Sequence, residues 1–437
     1  VPLNPTAVVK QAGTLMEARD AESEALDRVR LIWKGRQGLP AVIPVNAPSE
    51  VRRMAAMSRV NVCEIVVGTL AQSTFVDGFR GKNDESNAEV WTAWQANKLD
   101  ARQIGIHRAA YAYGTSYATV LPGDTEPVIR GRSPRHLTTL YGEDPDWPMA
   151  ALERLDGKLW RILDEEAAYY VERKSDGKFE HLETREHDLG VCPVVRFLDE
   201  DDLDADDDVE PENQGRQGDP VLPMRGQVAP LAPIQEQIDM TTFGLLVAQH
   251  YSAFRQRWAI GWVAEDEKKL LEKMIEDMDD DEADASDVAT AARNAARQAQ
   301  QAAGASQLWT FDEHPEEMKL GEFEQTTLDG YIKSREASLK HAATLSQTPV
   351  HELVGELVNL SAEALAAAEA GRDRKVDERK ALHGESWEQT LTLASGIKGV
   401  DVPEDAEVRW RDTSARAFSA TVDALGKMTK LLGIPPQ

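Results

Sequence analysis

Two cysteines, Cys63 and Cys192, are all the thiols in 437 residues. Both sit in apolar helix-like or strand-like stretches, which reads as two buried thiols in a reducing cytoplasm and not as a disulfide. Long apolar runs are missing too. The best, Phe243 to Ala248, is six residues, against the ~20 that a membrane-spanning helix needs, so no membrane partner is expected. Neither G-x-x-x-x-G-K-[ST] nor G-x-G-x-x-G occurs, which removes the usual phosphate cradles. His351-Glu352 lacks the second histidine of H-E-x-x-H, and the nine histidines are scattered without zinc spacing. No metal or other cofactor is expected. Serine-nucleophile motifs are absent, and Gly114-Thr115-Ser116 reads as the start of a strand. Nothing here supports an enzyme.

Positive charge is also scarce. The formal charge is −27, which argues against a protein whose whole surface grips nucleic-acid phosphates. The excess is concentrated. Residues 199–212 carry ten acids and no base, and residues 276–287 carry eight and no base. Without those eighteen the charge is −9 (27 − 18), an ordinary acidic protein. Both runs read as solvated loops. As calcium loops they fail, because Val209 and Glu282 occupy the required glycine positions.

What is present is mostly helix with one sheet-rich block. Residues 6–34 read as a helix stopped by Gly35 and Gly38, and 49–72 as a second. "SNAEVWTAWQANKLDARQIGIHRAAYAYG" gives two more around Asn97-Lys98, with Trp91 and Trp94 read as core. Short strand-like runs follow, joined by Asp-Gly at 156–157 and 176–177, a strong hairpin signal. A Gly/Pro-rich loop at 211–233 leads to a helix over 234–258, about 37 Å long and apolar on more than one side, hence buried on more than one side. His250 on it reads as a packed or interface residue. A second long helix spans 325–345. Between the two lies an insertion with a charged helix, the second acidic run, an Ala/Gln-rich tract at 289–303 and a strand-like "SQLWTF". This is an α+β arrangement, mainly α.

The stretch "QTPVHELVGELVNLSAEALAAAEAGRDRKVDERK" (347–380) favours helix throughout, yet its pattern breaks near Asn359. Thr348 reads as an N-cap with Pro349 at the first helical position, and Ser361 as the cap of a restarted helix. A helix that stops, offers a short segment and starts again calls for a use.

Several stretches, taken in order, resemble the portal proteins of tailed double-stranded-DNA bacteriophages, the siphovirus type. They are "IWKGRQ" (32–37), "VWTAWQANKLDARQIGIHRAAYAYGTSYATV" (90–120), "PLAPIQEQIDMTTFGLLVAQHYSAFRQRWAIG" (230–261) and the run 320–371 that contains the helix break. The resemblance covers most of residues 6–437, and its order is more specific than any single motif. It implies a ring of about a dozen copies at one capsid vertex with double-stranded DNA threading the centre. The implied parts are a wing (1–233), stem helix 1 (234–258), clip (259–324), stem helix 2 (325–345), tunnel loop (346–360), tunnel helix and wing return (361–400) and a helical crown (401–437). The chain stops at "LLGIPPQ" where relatives often continue, so the crown is either short or truncated.

The same resemblance assigns roles. Glu352, Glu356, Asn359 and Ser361 would face DNA in the tunnel. Phe243, Leu246, Val247 and Phe254 would form the stem interface between neighbours, and Trp262, Trp309 and Phe311 would anchor partners at the clip. Implied partners are the terminase large subunit, a head-completion or adaptor protein, and the major capsid and scaffold proteins, with assembly in the host cytoplasm and a final place in the virion. Residues 346–361 hold two glutamates and no lysine or arginine. That suits a wall along which DNA slides, because phosphate-neutralising cations would hold it by counterion release. Two other classes compete: a packaging enzyme such as a terminase, opposed by the missing phosphate loop, and a non-channel oligomeric head or scaffold protein.

Overall fold

The computed structural model describes residues 1–38, 43, 46–81, 88–201, 226–253, 257–260, 319–322, 327–355, 362–403 and 405–412. Helix α1 (Pro5–Trp33) begins where the Asn4 side chain accepts the Ala7 N–H at 2.9 Å, with Pro5 in the first turn. Its end is set by Gly35, which takes a left-handed φ of 61°. The single helix expected over 49–72 is two, α2 (Ser49–Met57) and α3 (Val62–Ser73). Asn61 divides them because its Oδ1 accepts the Glu64 N–H at 3.1 Å and so caps α3. Taken as one stretch, Ser49–Ser73 has the length and hydropathy of a membrane span. The cap interrupts it, however, and Val62, Cys63, Val66, Val67, Leu70 and Ala71 are buried in protein.

Helices α4 (Ala88–Ala96) and α5 (Leu99–Tyr113) flank the Asn97-Lys98 turn as the sequence indicates, with Lys98 at φ 54° and Gly114 closing α5 at φ 85°. Among the strands, β1 is Val76–Arg80, β2 Thr115–Leu121 and β3 Val128–Arg132. Then come β4 (Leu137–Tyr141), β5 (Pro148–Arg154), β6 (Leu159–Leu163), β7 (Ala167–Arg173), β8 (Phe179–Glu186) and β9 (Val194–Leu198). Strands β4 to β8 form a five-stranded antiparallel meander in chain order. Both Asp-Gly turns fall at its hairpins, β5–β6 and β7–β8, and Gly177 has φ 84°. A second sheet has the order β3-β2-β9, also antiparallel.

Helix α6 (Val228–Ala253) corrects stem helix 1 at both ends. It starts at Val228, ahead of the expected 234, because Pro230 sits in the first turn, where its missing N–H costs nothing. The expected helical end at 258 is instead strand β10 (Arg257–Ile260), paired antiparallel with β11 (Lys319–Glu322). The ladder partner lies far away in sequence, so no local pattern could reveal it. Helix α7 (Asp329–Ser346) begins later than the expected 325. Helix α8 is Val350–Val354 and α9 is Ala362–Lys398, about 55 Å long at 1.5 Å per residue. Within the span assigned to a helical crown, β12 (Glu407–Trp410) is a strand, antiparallel to β1.

The chain divides into two compact units. One holds residues 1–44, 59–240 and 335–437. In it the first half of α1 lays Val8, Ala12, Leu15 and Met16 on Leu152, Trp160, Ile162 and Tyr169 of the meander. The second half of α1 packs with α3, α5, the start of α6 and Leu339 and Ala342 of α7. A further core joins α4, α5 and the three-stranded sheet to Trp387 and Leu391 of α9. Trp94 is fully buried there, and Trp91 stacks on it with centroids 4.7 Å apart. Both cysteines are free and buried, and burial pushes the Cys63 thiol up to about 12. The other unit holds residues 45–58 and 241–334, and in it His250 pairs with Glu50 at 3.1 Å.

Fully buried His107 sits between α5 and α9. Its Nε2 accepts from Trp387 Nε1 at 2.9 Å, so Nδ1 carries the proton and donates to the Thr74 carbonyl at 3.0 Å. Burial holds its pKa down at about 4, and burial also holds fully buried His383 well below the usual value. Between pH 6.5 and 4 the unfolded chain takes up a proton that folded His107 does not, so stability falls as pH falls through that window. The loss is about 3 kcal/mol for His107. His107→Asn should be less stable at pH 7 yet show a flatter decline between pH 6.5 and 4. Urea unfolding at a series of pH values checks this, and an unchanged slope would show that the ring is not held neutral.

Candidate functional site

The interrupted helix is the feature with most to explain. Helix α7 ends in a Schellman arrangement: the Gln347 N–H reaches the Thr344 carbonyl at 3.3 Å and the Thr348 N–H the Ala343 carbonyl at 3.0 Å. Gln347 takes φ 54° in the position glycine usually fills. Thr348 is not the N-cap of α8. Its hydroxyl accepts from Ser346 Oγ at 2.9 Å, while Pro349 occupies the N-cap without a side-chain bond and not the first helical turn. Helix α8 lasts five residues and stops at Gly355, φ 77°, whose N–H bonds the His351 carbonyl at 2.9 Å. The chain resumes as α9.

Beneath this break lies a buried polar node. On α9, Lys375, Arg379 and His383 recur every four residues and so share one face. Lys375 Nζ donates to the Ser346 carbonyl at 2.9 Å and to Gln227 Oε1 at 2.5 Å. Gln227 Nε2 donates to Asp199 Oδ2 at 2.5 Å, and Arg379 Nε to Asp199 Oδ1 at 3.1 Å. His383 Nε2 meets the Leu198 carbonyl at 3.0 Å. One helix is thus tied to the end of β9, the residue entering α6 and the last residue of α7. Burial lowers the Lys375 pKa to about 8, with Asp199 opposing the shift. Burial also raises that of Asp199 against the pull of Arg379. Glycine is required beside the node. A Cβ on Gly226, φ 73°, would stand 2.4 Å from the Gly114 nitrogen.

A second polar group fixes the root of α6. Asp239 accepts from Gln37 Nε2 at 2.6 Å and from the Val60 N–H at 3.0 Å, and Gln235 accepts the Val62 N–H at 2.9 Å. This gives "IWKGRQ" a physical role. Trp33 packs edge-on to Tyr113, Gly35 turns the chain, and Gln37 reaches Asp239 on α6.

The proposed site residues fall into three groups. Glu352 is no free wall charge, because its Oε1 accepts from Arg372 Nη1 at 2.6 Å. Phe243, Leu246 and Val247 are half-buried, flanking an inner line of Thr242, Leu245 and Ala248, and Gly244 admits the Tyr331 ring of α7. Phe254, Trp262, Trp309, Phe311, Glu356, Asn359 and Ser361 lie outside the described residues. No group of three or more metal-binding side chains occurs among the described residues. Sequence reasoning passed over Asp199, Gln227, Lys375, Arg379 and Asp239. The four-residue recurrence of basic side chains on α9 was the one signal available.

The family model described as "Phage portal protein, SPP1 Gp6-like" matches residues 46–437. The chain belongs to that portal family. It is 25% identical to the portal protein of Mycobacterium phage L5 over 420 residues, covering 89% of this chain and 76% of that protein. Against the portal protein of Mycobacterium phage D29 it is 26% identical over 415 residues, with the same coverages. A solved chain from "Neck of native GTA particle computed with C12 symmetry" aligns with 94% of this chain and 100% of its own, at 13% identity and a TM-score of 0.44. As a phage portal protein it is a structural component of the virion at the head–tail junction, where portals form a homo-oligomeric ring around the DNA path. The buried node therefore serves a portal subunit's architecture. Asp199→Ala would take the buried carboxylate from Gln227 and from Arg379, which keeps the exposed Glu378 at 2.8 Å, at a cost of about 3–5 kcal/mol. Lys375→Met leaves only neutral acceptors unmet and should cost about 1–3 kcal/mol. Chemical denaturation of the two variants checks the order.

Proposed function

We propose that about twelve copies close into a ring whose central channel carries double-stranded DNA during packaging and ejection. The observation that carries this reading is the interrupted path from α7 through α8 to α9 inside a portal-family chain. It offers a short segment between two long helices, where a channel needs a constriction. In this reading α6 and α7 are the stem helices, and Phe243, Leu246, Val247 and Phe254 meet the neighbouring subunit. Residues 346–360 form the tunnel loop, with Glu356, Asn359 and Ser361 turned to DNA. The segment 259–324 is the clip. Its entry and exit are held together by the β10–β11 ladder, as an inserted module would require. The clip would dock the terminase large subunit and later the head-completion protein through Trp262, Trp309 or Phe311. Major capsid and scaffold proteins would surround the wing (1–233), with assembly in the host cytoplasm. The protein performs no catalytic step.

Two measurements test this. The mass of the assembled particle should correspond to a closed ring of about twelve, whereas a dimer or filament favours a non-channel head or scaffold protein. Glu356→Lys with Asn359→Lys would add about two dozen positive charges around such a ring, so DNA should bind more tightly and with a steeper salt dependence. Packaging should slow while ring formation stays normal. Wild-type packaging and ejection rates in that double variant would remove this segment from the channel wall.

A further inference from the structure

The short helix α8 is held by very little. None of its residues is fully buried, and only Leu353 and Val354 touch the neighbouring core. Among the described residues its one charged tie is Glu352 to Arg372 of α9. That tie is one bond and not a fork: Glu352 Oε2 and Arg372 Nε are both buried with no partner among the described residues. Arg372 also has other acids at hand, with its Nη2 3.5 Å from Glu369 and 3.4 Å from Asp373. If Glu352 departs, the guanidinium can turn to either acid and need not remain a bare buried cation, which lowers the cost of release. The residues on either side of α8 have the backbone of pivots, Gln347 at φ 54° and Gly355 at φ 77°. Upstream, the chain cannot follow α8 far, because the Ser346 carbonyl is fixed by Lys375.

We propose that Arg372 is the positioning residue of the tunnel segment: its pairing with Glu352 is a releasable catch that sets where α8 stands, while Lys375 is the fixed anchor. The proposal deepens the channel reading of residues 346–360 and rests on it for its consequence, though not for its geometry. With the catch closed, Glu352 is withdrawn from the surface and its charge is balanced. With it open, α8 moves between Gln347 and Gly355 and presents a free carboxylate, while Arg372 stays compensated by Glu369 and Asp373. The two arrangements differ by the Glu352 ion pair alone, lost from a cation that keeps Glu369 and Asp373 beside it, so the gap between them is small enough for a two-state element.

Hydrogen exchange on the full-length assembled protein tests the catch directly. The Glu352 N–H bonds the Pro349 carbonyl at 3.0 Å and the Gly355 N–H the His351 carbonyl at 2.9 Å, so both amides report on α8. In Glu352→Gln and in Arg372→Gln these amides should exchange about tenfold faster, while amides at 391–395 in the core end of α9 stay protected. The double variant should match either single variant, because each removes the same pair. Arg372→Lys, which keeps the cation, should restore part of the protection. Unchanged exchange in the singles, or additive effects in the double, would overturn the proposal. DNA passage in particles built from the same variants forms a separate arm. Faster exchange with wild-type passage would overturn the channel reading of this segment and leave the catch standing.

Discussion

The packing around α9 depends on one buried carboxylate. Asp199 is almost fully buried where β9 ends, and Arg379 and Gln227 converge on it, with Lys375 joined through Gln227. Taking charges out of water is expensive, and the mutual attraction of a buried set offsets that cost only when geometry and hydrogen bonding are complete. What the node supplies is a fixed register. The three-stranded sheet, the start of α6 and the end of α7 all meet the same face of α9. Sliding α9 by one residue would turn Lys375 and Arg379 away from their partners and leave buried charges unmet. An apolar face could tolerate such slippage at lower cost. The apolar part of the helix, Trp387 to Ala394, then packs on α4, α5 and the sheet in a register the node has set.

Several local signals in the sequence match the local structure, though Thr348 and Pro349, read as N-cap and first helical residue of α8, do not. Gly35 ends α1, Lys98 and Gly114 bracket α5, and Asp-Gly makes two of the four hairpins of the meander. The other misses are one local and two non-local. Whether 49–72 is one helix or two turned on Asn61, a cap inside an otherwise helical pattern. Residues 257–260 have a helical context on their N-terminal side and become a strand only because 319–322 supply a ladder. The same holds for 407–410, which need β1 from the other end of the chain. The candidate site shows a similar division. A break was expected near Asn359, which lies outside the described residues, whereas the described stop is Gly355; Glu352 was singled out. Its partner Arg372 was not, since nothing in a single sequence ties a residue on one side of a break to one on the other.

The family match and the buried node account for different things. The family model that matches residues 46–437 establishes that the chain is a portal subunit. It does not say why a helix should be cut at 355. The geometry gives a reason: α7 and α9 are anchored at a common point through Lys375, so the chain between them is a short span with fixed ends. Within it α8, none of whose residues is fully buried, can shift without disturbing the cores on either side.

Charge completes the argument. A cation binds DNA largely by releasing counterions from the phosphates, and a cation already paired with a protein carboxylate or buried among carbonyls has little left to offer. Lys375 and Arg372 are the basic residues tied directly to the break. One is buried against Ser346 and Gln227, and the other is ringed by Glu352, Glu369 and Asp373. In the proposed channel, both would hold the tunnel segment in place without gripping what passes. Under that proposal, the positive charge that fixes the helices on either side of the break is kept away from the DNA, and the glutamates of the segment would favour sliding.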